Sequence, residues 1–268
     1  MTGQIAHLLR YPVKGLAGQQ LAQIWLAENQ RLAGDRLYAA RRAQEGQEEE
    51  AAGWRPKTAF WQIYNSPALA AFDGQFSADG SCVYLPASGS SQNARHPRQV
   101  DLTSPAGRQE LADFLSDFLA DFLAPKTIGE TIGEQPAIQI IRCSEGGFTD
   151  VRKPYISIAS LASAAELCEA AGVAADYRRF RMNIWLDKLP AFTELDWIGK
   201  RLRLGQAELE ITEAVERCAA THANPQTGQS DCDLVSLSRQ LYGHSQLGIY
   251  ARVLVAGKVQ PNDCAELI

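Results

Sequence analysis

Two periodicities divide the chain. Over Pro105–Leu123 the apolar residues Leu111, Phe114, Leu115, Phe118, Leu119, Phe122 and Leu123 recur at helical spacing, and Asp113, Asp117 and Asp121 line another face. Ser104 suits the cap, Pro105 suits the first helical position, and Pro125 ends the helix. A second helix is predicted over 161–171. Ser163 and Glu166 have capping-box spacing, Ser160 is a rival cap, and Gly172 closes the helix. Elsewhere, short apolar runs between turn residues predict strands at 20–27, 36–41, 60–64, 82–85, 138–143, 155–158 and 253–255. Gly34-Asp35 supplies the turn before 36–41. NIWLD begins at Asn183, and KRLRL and AELEI flank Gly205-Gln206 as a hairpin. The acidic run 44–50 and the Ser-, Gly-, Asn- and Pro-rich stretch 88–98 read as loops. Strands dominate both halves, so the expected class is α+β, β-dominated, with a few inserted helices.

Composition narrows this picture. A chain of 268 residues corresponds to one or two domains at about 150 residues each, and it can bury a core without disulfide or metal staples. With 46% hydrophobic and 21% charged residues it is an ordinary globular sequence, which excludes disordered and collagen-like chains. No apolar run is long enough for a membrane span, so no membrane partner is expected. Arg10 and Lys14 interrupt the start, so no signal peptide is expected and the location is read as cytoplasmic. The net charge of −5 speaks against a nucleic-acid partner. Cys82, Cys143, Cys168, Cys218, Cys232 and Cys264 form no framework pattern and are read as free thiols.

Three short segments could carry chemistry. Cys218 follows a strand and stands beside Arg217, which favours a thiolate; a buried structural cysteine is the competing reading. Cys218, His222 and Cys232, with Asp231 and Asp233 adjacent, could be considered for zinc, but the spacing lacks the paired ligands of structural zinc sites. A Cys218–His222 nucleophile pair lacks a recognisable orienting group. Arg178, Arg179 and Arg181 offer guanidinium forks for a phosphate, or form a solvated cluster paired with Asp176. Lys14 in YPVKG and Arg36 after Asp35 are further candidate anion ligands, each mute alone. The P-loop, the dinucleotide fingerprint, H-E-x-x-H and G-x-S-x-G are all absent.

In their order, these segments resemble the MOSC family, the molybdenum-cofactor sulfurase C-terminal domain proteins. The similarity is to its two-part members, which include the mitochondrial amidoxime reducing component. IAHLLRYPVKGLAGQQL resembles the family's amino-terminal YPVKS-x-x-G signature, and GDRLYAA its D-R-aromatic segment. PYISIASLASAAEL is similar to its strand-to-helix segment with paired serines, and RFRMNIWL to its R-F-R-P-N strand. ERCAATHANPQTG resembles the R-C-x-x-T-x-x-(D/N)-P-x-T-G loop, and LGIYARVLVAGKVQPND the closing G-x-Y…G-D pattern.

The resemblance implies an N-terminal β-barrel-like domain over 1–90, a loop and amphipathic-helix connector over 91–129, and a MOSC β-barrel domain over 130–268. It implies a molybdopterin-type molybdenum cofactor with Cys218 as both metal ligand and catalytic residue, a soft thiolate suiting a sulfur-bound metal. Lys14, Arg36, Arg181 and Arg217 would meet the pterin phosphate and its surroundings, with Asn183, Thr221 and Tyr250 completing the cofactor-binding set. The implied activity is oxidoreductase: reduction of N-hydroxylated compounds such as amidoximes and hydroxylamines. Only Cys264 follows Cys232, so no iron–sulfur extension is expected, and electrons would come from a separate flavin, iron–sulfur or haem donor protein. The alternative role is a molybdenum-cofactor or sulfur carrier without turnover. Four departures stand out. Gly15 replaces the motif Ser, Val151-Arg152-Lys153 stands where the mitochondrial relative has Thr-Ser, Met182 replaces Pro, and Asn262-Asp263 replaces the closing G-D. Arg152 and Lys153 are candidates to take over the cofactor contacts of the missing Thr-Ser.

Overall fold

Alternation of buried and exposed side chains builds the central sheet. In the computed structural model, which describes residues 2–44, 49–86, 97–123 and 136–268, the chain begins with β1 (Thr2–Arg10), β2 (Val13–Lys14), β3 (Gln19–Gln20) and β4 (Ile24–Leu26). It continues through β5 (Tyr38–Arg42), β6 (Glu50–Ala51), β7 (Gln75–Phe76), β8 (Cys82–Leu85) and β9 (Arg98–Asp101) to helix α1 (Pro105–Leu123). The second half contains β10 (Ile138–Cys143), β11 (Ile156–Ser160), α2 (Leu161–Ala170), β12 (Ile184–Asp187), β13 (Arg201–Leu204) and β14 (Ala207–Glu216). It ends with α3 (Leu234–Tyr242), β15 (Gln246–Val255), β16 (Gly257–Val259) and β17 (Cys264–Leu267).

Seven strands, in the order β12-β11-β15-β14-β13-β17-β1, close into a barrel because β1 also pairs with β12. Leu202 and Leu204 on β13, and Leu209 and Ile211 on β14, point inward at every second position. Together with Ile5, Leu8, Ile158 and Ile249 they form one core. A register shift between Ile5 and His7 lets both Ile5 and Leu8 face that core. Within the barrel β11 and β12 pair in parallel, and α2 lies in their crossover.

The sheets do not respect divisions at 90 and 130. β1 is a stave of the barrel built from the carboxy-terminal half, while β10 joins β2, β5 and β6 in a four-stranded sheet. That sheet, β7-β8-β9 and α1 enclose a second core that includes Tyr38, Val83, Val100, Leu111, Leu115 and Leu119. α1 starts as expected: the Ser104 hydroxyl accepts from Gly107 N at 3.0 Å. Gly107 is required there, since a Cβ would stand 1.8 Å from the Asp101 carbonyl oxygen. On α2, Ser160 is the cap, its hydroxyl accepting from Ala162 N at 3.2 Å. Ser163 is instead buried against Glu194, so it does not cap.

Several expected elements differ. Residues 60–64 form turns: Asn65 Oδ1 captures Gln62 N at 2.9 Å, and only Trp61 N reaches a strand carbonyl, that of Ala40. The 20–27 strand is two strands, β3 and β4, and the 253–255 strand is the end of the ten-residue β15. Helix α3 was not expected, although Asp233 caps it through Ser236 N at 2.9 Å and Gly243 (φ 78°) closes it. Most of the loops at 44–50 and 88–98, and the stop at Pro125, lie outside the described residues.

Candidate functional site

Strand register brings the candidate residues to one mouth of the barrel. Leu8 pairs with Ile184, Ser157 with Tyr250, and Glu213 with Tyr250, so the end of β1, the start of β12 and the carboxy-terminal half of β14 lie toward one end of the barrel. The segment after β1 carries Tyr11 and Lys14, and the residues after β14 carry Arg217 and Cys218. A cavity of about 380 Å³ opens there, lined by Lys14, Arg36, Arg181, Asn183, Arg217, Cys218 and Tyr250, among others.

Left-handed turns aim the two central guanidiniums. Arg36 (φ 51°) and Arg181 (φ 56°) occupy a conformation that non-glycine residues rarely adopt. Both guanidiniums lie over the buried Tyr11 ring, at 4.5 and 4.3 Å from its centroid. The turn also presents successive carbonyls: Arg217 Nη2 donates to Phe180 O at 2.6 Å, and Arg36 Nη2 to Arg181 O at 3.0 Å. Arg181 Nη1 donates to Leu16 O at 2.6 Å, while its Nη2 is buried with no partner among the described residues. Arg36 also pairs with the buried Asp35, which accepts from Tyr11 N at 2.8 Å.

Positive charge is held here at a cost. Burial drives the Arg181 guanidinium down to about 10, and Arg36 adds to the push while Tyr11 opposes it. Burial likewise lowers Arg217 and Lys14, although Asp150 pulls Lys14 back up. At Arg36 burial is the largest single influence and pushes downward, but Asp35, Tyr11 and Asp150 together outweigh it, and the value rises. Burial takes the Tyr11 phenol up to about 12 despite its two arginine neighbours. Asp150 forms an ion pair with Lys14; desolvation pushes its carboxyl up, but Lys14, Arg36 and Lys57 outweigh this and hold it at about 2. Glu213 and Glu216, on the same wall, are engaged by Lys153 and by Ser245 and Gln246. Among the described residues, Lys14, Arg36, Arg181 and Arg217 therefore have Asp35 and Asp150 as their close counter-ions. An unpartnered guanidinium nitrogen in such a chamber fits an anion of two or more charges.

Cys218 is half-buried on the cavity wall, at the start of a short 3-10 turn, Ala219–His222. Thr221 does not line the cavity: it is buried, and both its amide and its hydroxyl donate to Cys218 O, at 3.0 and 2.9 Å. Asn183 reaches the cavity, but its amide is spent tying strands together. Oδ1 accepts from the Ser157 hydroxyl at 2.8 Å, and Nδ2 donates to Leu9 O at 3.2 Å. Tyr250 lines the wall and packs against Tyr155 with the rings tilted by 31°, its phenol raised by burial. Arg152 and Lys153 do not line the cavity: Arg152 offers its carbonyl to Arg31, and the exposed Lys153 reaches Glu213. Asp150 and Tyr11 are site residues that the sequence reading passes over. The only local signal for Asp150 is its place after Gly146-Gly147. Met182, in place of a proline, lies 3.4 Å from Arg217 Nη1 through its sulfur. His222 is held by Asp233, and Cys232 lies beside Arg179; among the described residues no group of three His, Cys, Asp or Glu side chains could hold a metal ion.

Residues 149–266 match the family model of the MOSC domain. No curated protein matches the chain in sequence. The YuaD protein of Bacillus subtilis aligns over 100% of this chain and 96% of its own, at 13% identity and a TM-score of 0.45. YiiM from Geobacillus stearothermophilus aligns over 42% of this chain and 53% of its own, at 24% identity and a TM-score of 0.34. YiiM from Escherichia coli covers the same shares at 18% identity and a TM-score of 0.32.

Proposed function

Because residues 149–266 form a MOSC domain, which points to a molybdenum-cofactor-related function, we propose that the cavity holds a molybdopterin-type cofactor and that the chain reduces N-hydroxylated compounds. The observation that carries this reading is one chamber that combines the half-buried Cys218 thiol, six basic residues and the unpartnered Arg181 Nη2. Its volume of about 380 Å³ lies within the range of about 300–1,000 Å³ usual for ligand sites. The residues present fit the group: a thiolate for the metal, and fixed guanidiniums with a lysine for the phosphate. When bound, the group supplies two-electron, oxygen-removing chemistry.

The chain's own residues bind, orient and exclude. Arg181 and Lys14 would hold the phosphate, with Arg36 and Arg217 fixed behind them by the Arg181 and Phe180 carbonyls. Thr221 holds the Cys218 carbonyl and so orients the thiol. Tyr250, with its phenol raised by burial, stays protonated at neutral pH and keeps a hydroxyl donor at the wall. Asp150, held at about 2, stays ionised and is no proton donor there. Electrons would reach the site from a separate donor protein. The location we propose is cytoplasmic, in keeping with six free cysteines. Among the described residues no helix is long and apolar enough to cross a membrane.

Metal analysis of protein purified from a host that makes the cofactor tests the first half, and one molybdenum per chain is expected. Turnover of a benzamidoxime-like substrate with an artificial electron donor tests the second. Molybdenum without turnover would replace the enzyme by a carrier; protein without molybdenum would end both readings.

A further inference from the structure

We infer that Arg179 is a positioning residue: its ion pair with Asp231 latches the loop that carries Cys218 and sets how far the thiol is presented to the cavity. This rests on the role assigned to Cys218 above. Arg179 is the most deeply buried guanidinium of the Arg178–Arg181 cluster, its side chain 1% exposed, yet the phosphate reading gives it no task. It lies in the 3-10 turn Tyr177–Phe180, across from the loop. Nη1 and Nη2 donate to the two carboxylate oxygens of Asp231 at 2.8 and 2.7 Å, and Nη1 also reaches His222 O at 3.3 Å.

Those contacts close both limbs of the loop. His222 ends the 3-10 turn that Cys218 begins, and Thr221 ties that turn to the Cys218 carbonyl. On the other limb Asp231 N donates to His222 O at 3.1 Å, and Asp231 Oδ2 accepts from Asn224 Nδ2 at 2.8 Å. A second stitch runs parallel: Gln226 Nε2 donates to Asp176 Oδ2 at 2.8 Å, and Asp176 caps the turn that holds Arg179. Rigid planar forks lose little freedom on pairing, so one guanidinium can fix a loop that few apolar contacts hold. Arg178, one residue away, is half-exposed, and among the described residues its guanidinium bonds Asp176 and no residue of the Cys218 loop, so it makes no direct contact across the latch.

Thiol reactivity in cofactor-free protein tests this without reference to turnover or to the cofactor. The probe is iodoacetamide, with alkylation of each cysteine followed by peptide mass spectrometry; exposed Cys264 serves as the accessible control and buried Cys168 as the control for global loosening. In Arg179→Ala the Cys218 rate should rise about tenfold, the ratio that about 1.4 kcal/mol represents, with Cys264 and Cys168 unchanged. Arg179→Lys, which keeps the charge but not the fork, should give an intermediate rate, and Arg178→Ala the wild-type rate. Asp231→Asn breaks the pair from the other side and should match Arg179→Ala; it takes that variant's place if the alanine protein does not fold. An unchanged Cys218 rate in a folded variant, or a parallel rise at Cys168, would overturn the latch. An intact latch in a protein that never binds molybdenum would leave the positioning role standing and end only the proposed function.

Discussion

Replacing Arg181 by alanine separates binding from architecture. In the folded protein the guanidinium loses solvent and stands against Arg36, and its value falls from the ordinary guanidinium range to about 10. At about 1.36 kcal/mol per unit, the charged form costs the fold about 3 kcal/mol. The sign follows from a base whose folded value lies below its unfolded one: the penalty is complete at neutral pH and fades only as pH rises from about 10 toward the ordinary guanidinium value. Against it stand the bond to Leu16 O, about 1.5–3 kcal/mol for a charged donor, and the contact with Tyr11, about 0.5–2 kcal/mol. These contributions nearly cancel, so cofactor-free Arg181→Ala should unfold in urea within about 1 kcal/mol of wild type. Retention of the cofactor should behave otherwise. A lost charge-assisted pair with phosphate costs about 1.5–3 kcal/mol, or roughly ten- to a hundredfold in affinity. Titration of the two cofactor-free proteins reads this directly, with Arg178→Ala as comparator because that side chain is half-exposed and paired with Asp176. A loss of 3 kcal/mol or more, about what a buried pair is worth, in the cofactor-free variant would make Arg181 structural. Equal loss of affinity in both variants would reduce the cluster to a diffuse field, and no loss in either would put the phosphate elsewhere.

Further outcomes follow from the same geometry. Cys218→Ala should abolish molybdenum retention and turnover while leaving the melting temperature nearly unchanged, because the half-buried side chain fills no core; insoluble protein would favour a structural cysteine. Mass spectrometry of unreduced protein should find six free thiols, and any mapped disulfide would contradict the cytoplasmic assignment. Asn183→Ala should cost about 2–4 kcal/mol in urea unfolding, since it strands the Leu9 carbonyl and the Ser157 hydroxyl in a buried site; a neutral result would free the amide for the ligand. Asp150 has its folded value at about 2, below the unfolded 3.8, so its pairing stabilises above the unfolded value and is lost as pH falls through the folded one. Asp150→Asn should therefore flatten the acid limb of the stability curve, and an unaltered limb would show that the Lys14 pair contributes nothing.

Helix α1 was legible because everything that makes it is local: Ser104, Pro105 and a heptad of apolar side chains act within a few turns. The Gly205-Gln206 hairpin was legible for the same reason, Gly205 taking the positive φ the turn demands. The sequence also singles out Lys14, Arg36, Arg181, Arg217 and Cys218, because motif order survives in the linear chain. What those residues meet was settled elsewhere. β1 crosses into the carboxy-terminal barrel, and β10 crosses back, through pairings about a hundred or more residues apart that no window of the sequence contains. Asn183 and Thr221 carry polar side chains in site motifs, yet strand register and the turn after Cys218 commit both to protein partners. Asp150 and Tyr11 belong to the site only because folding sets Asp150 against Lys14 and Tyr11 against two guanidiniums. Helix caps and turns answer to neighbours in the chain. A chamber of like charges exists only once the barrel has closed around it, where burial and long-range pairing decide which guanidinium nitrogen is left without a partner.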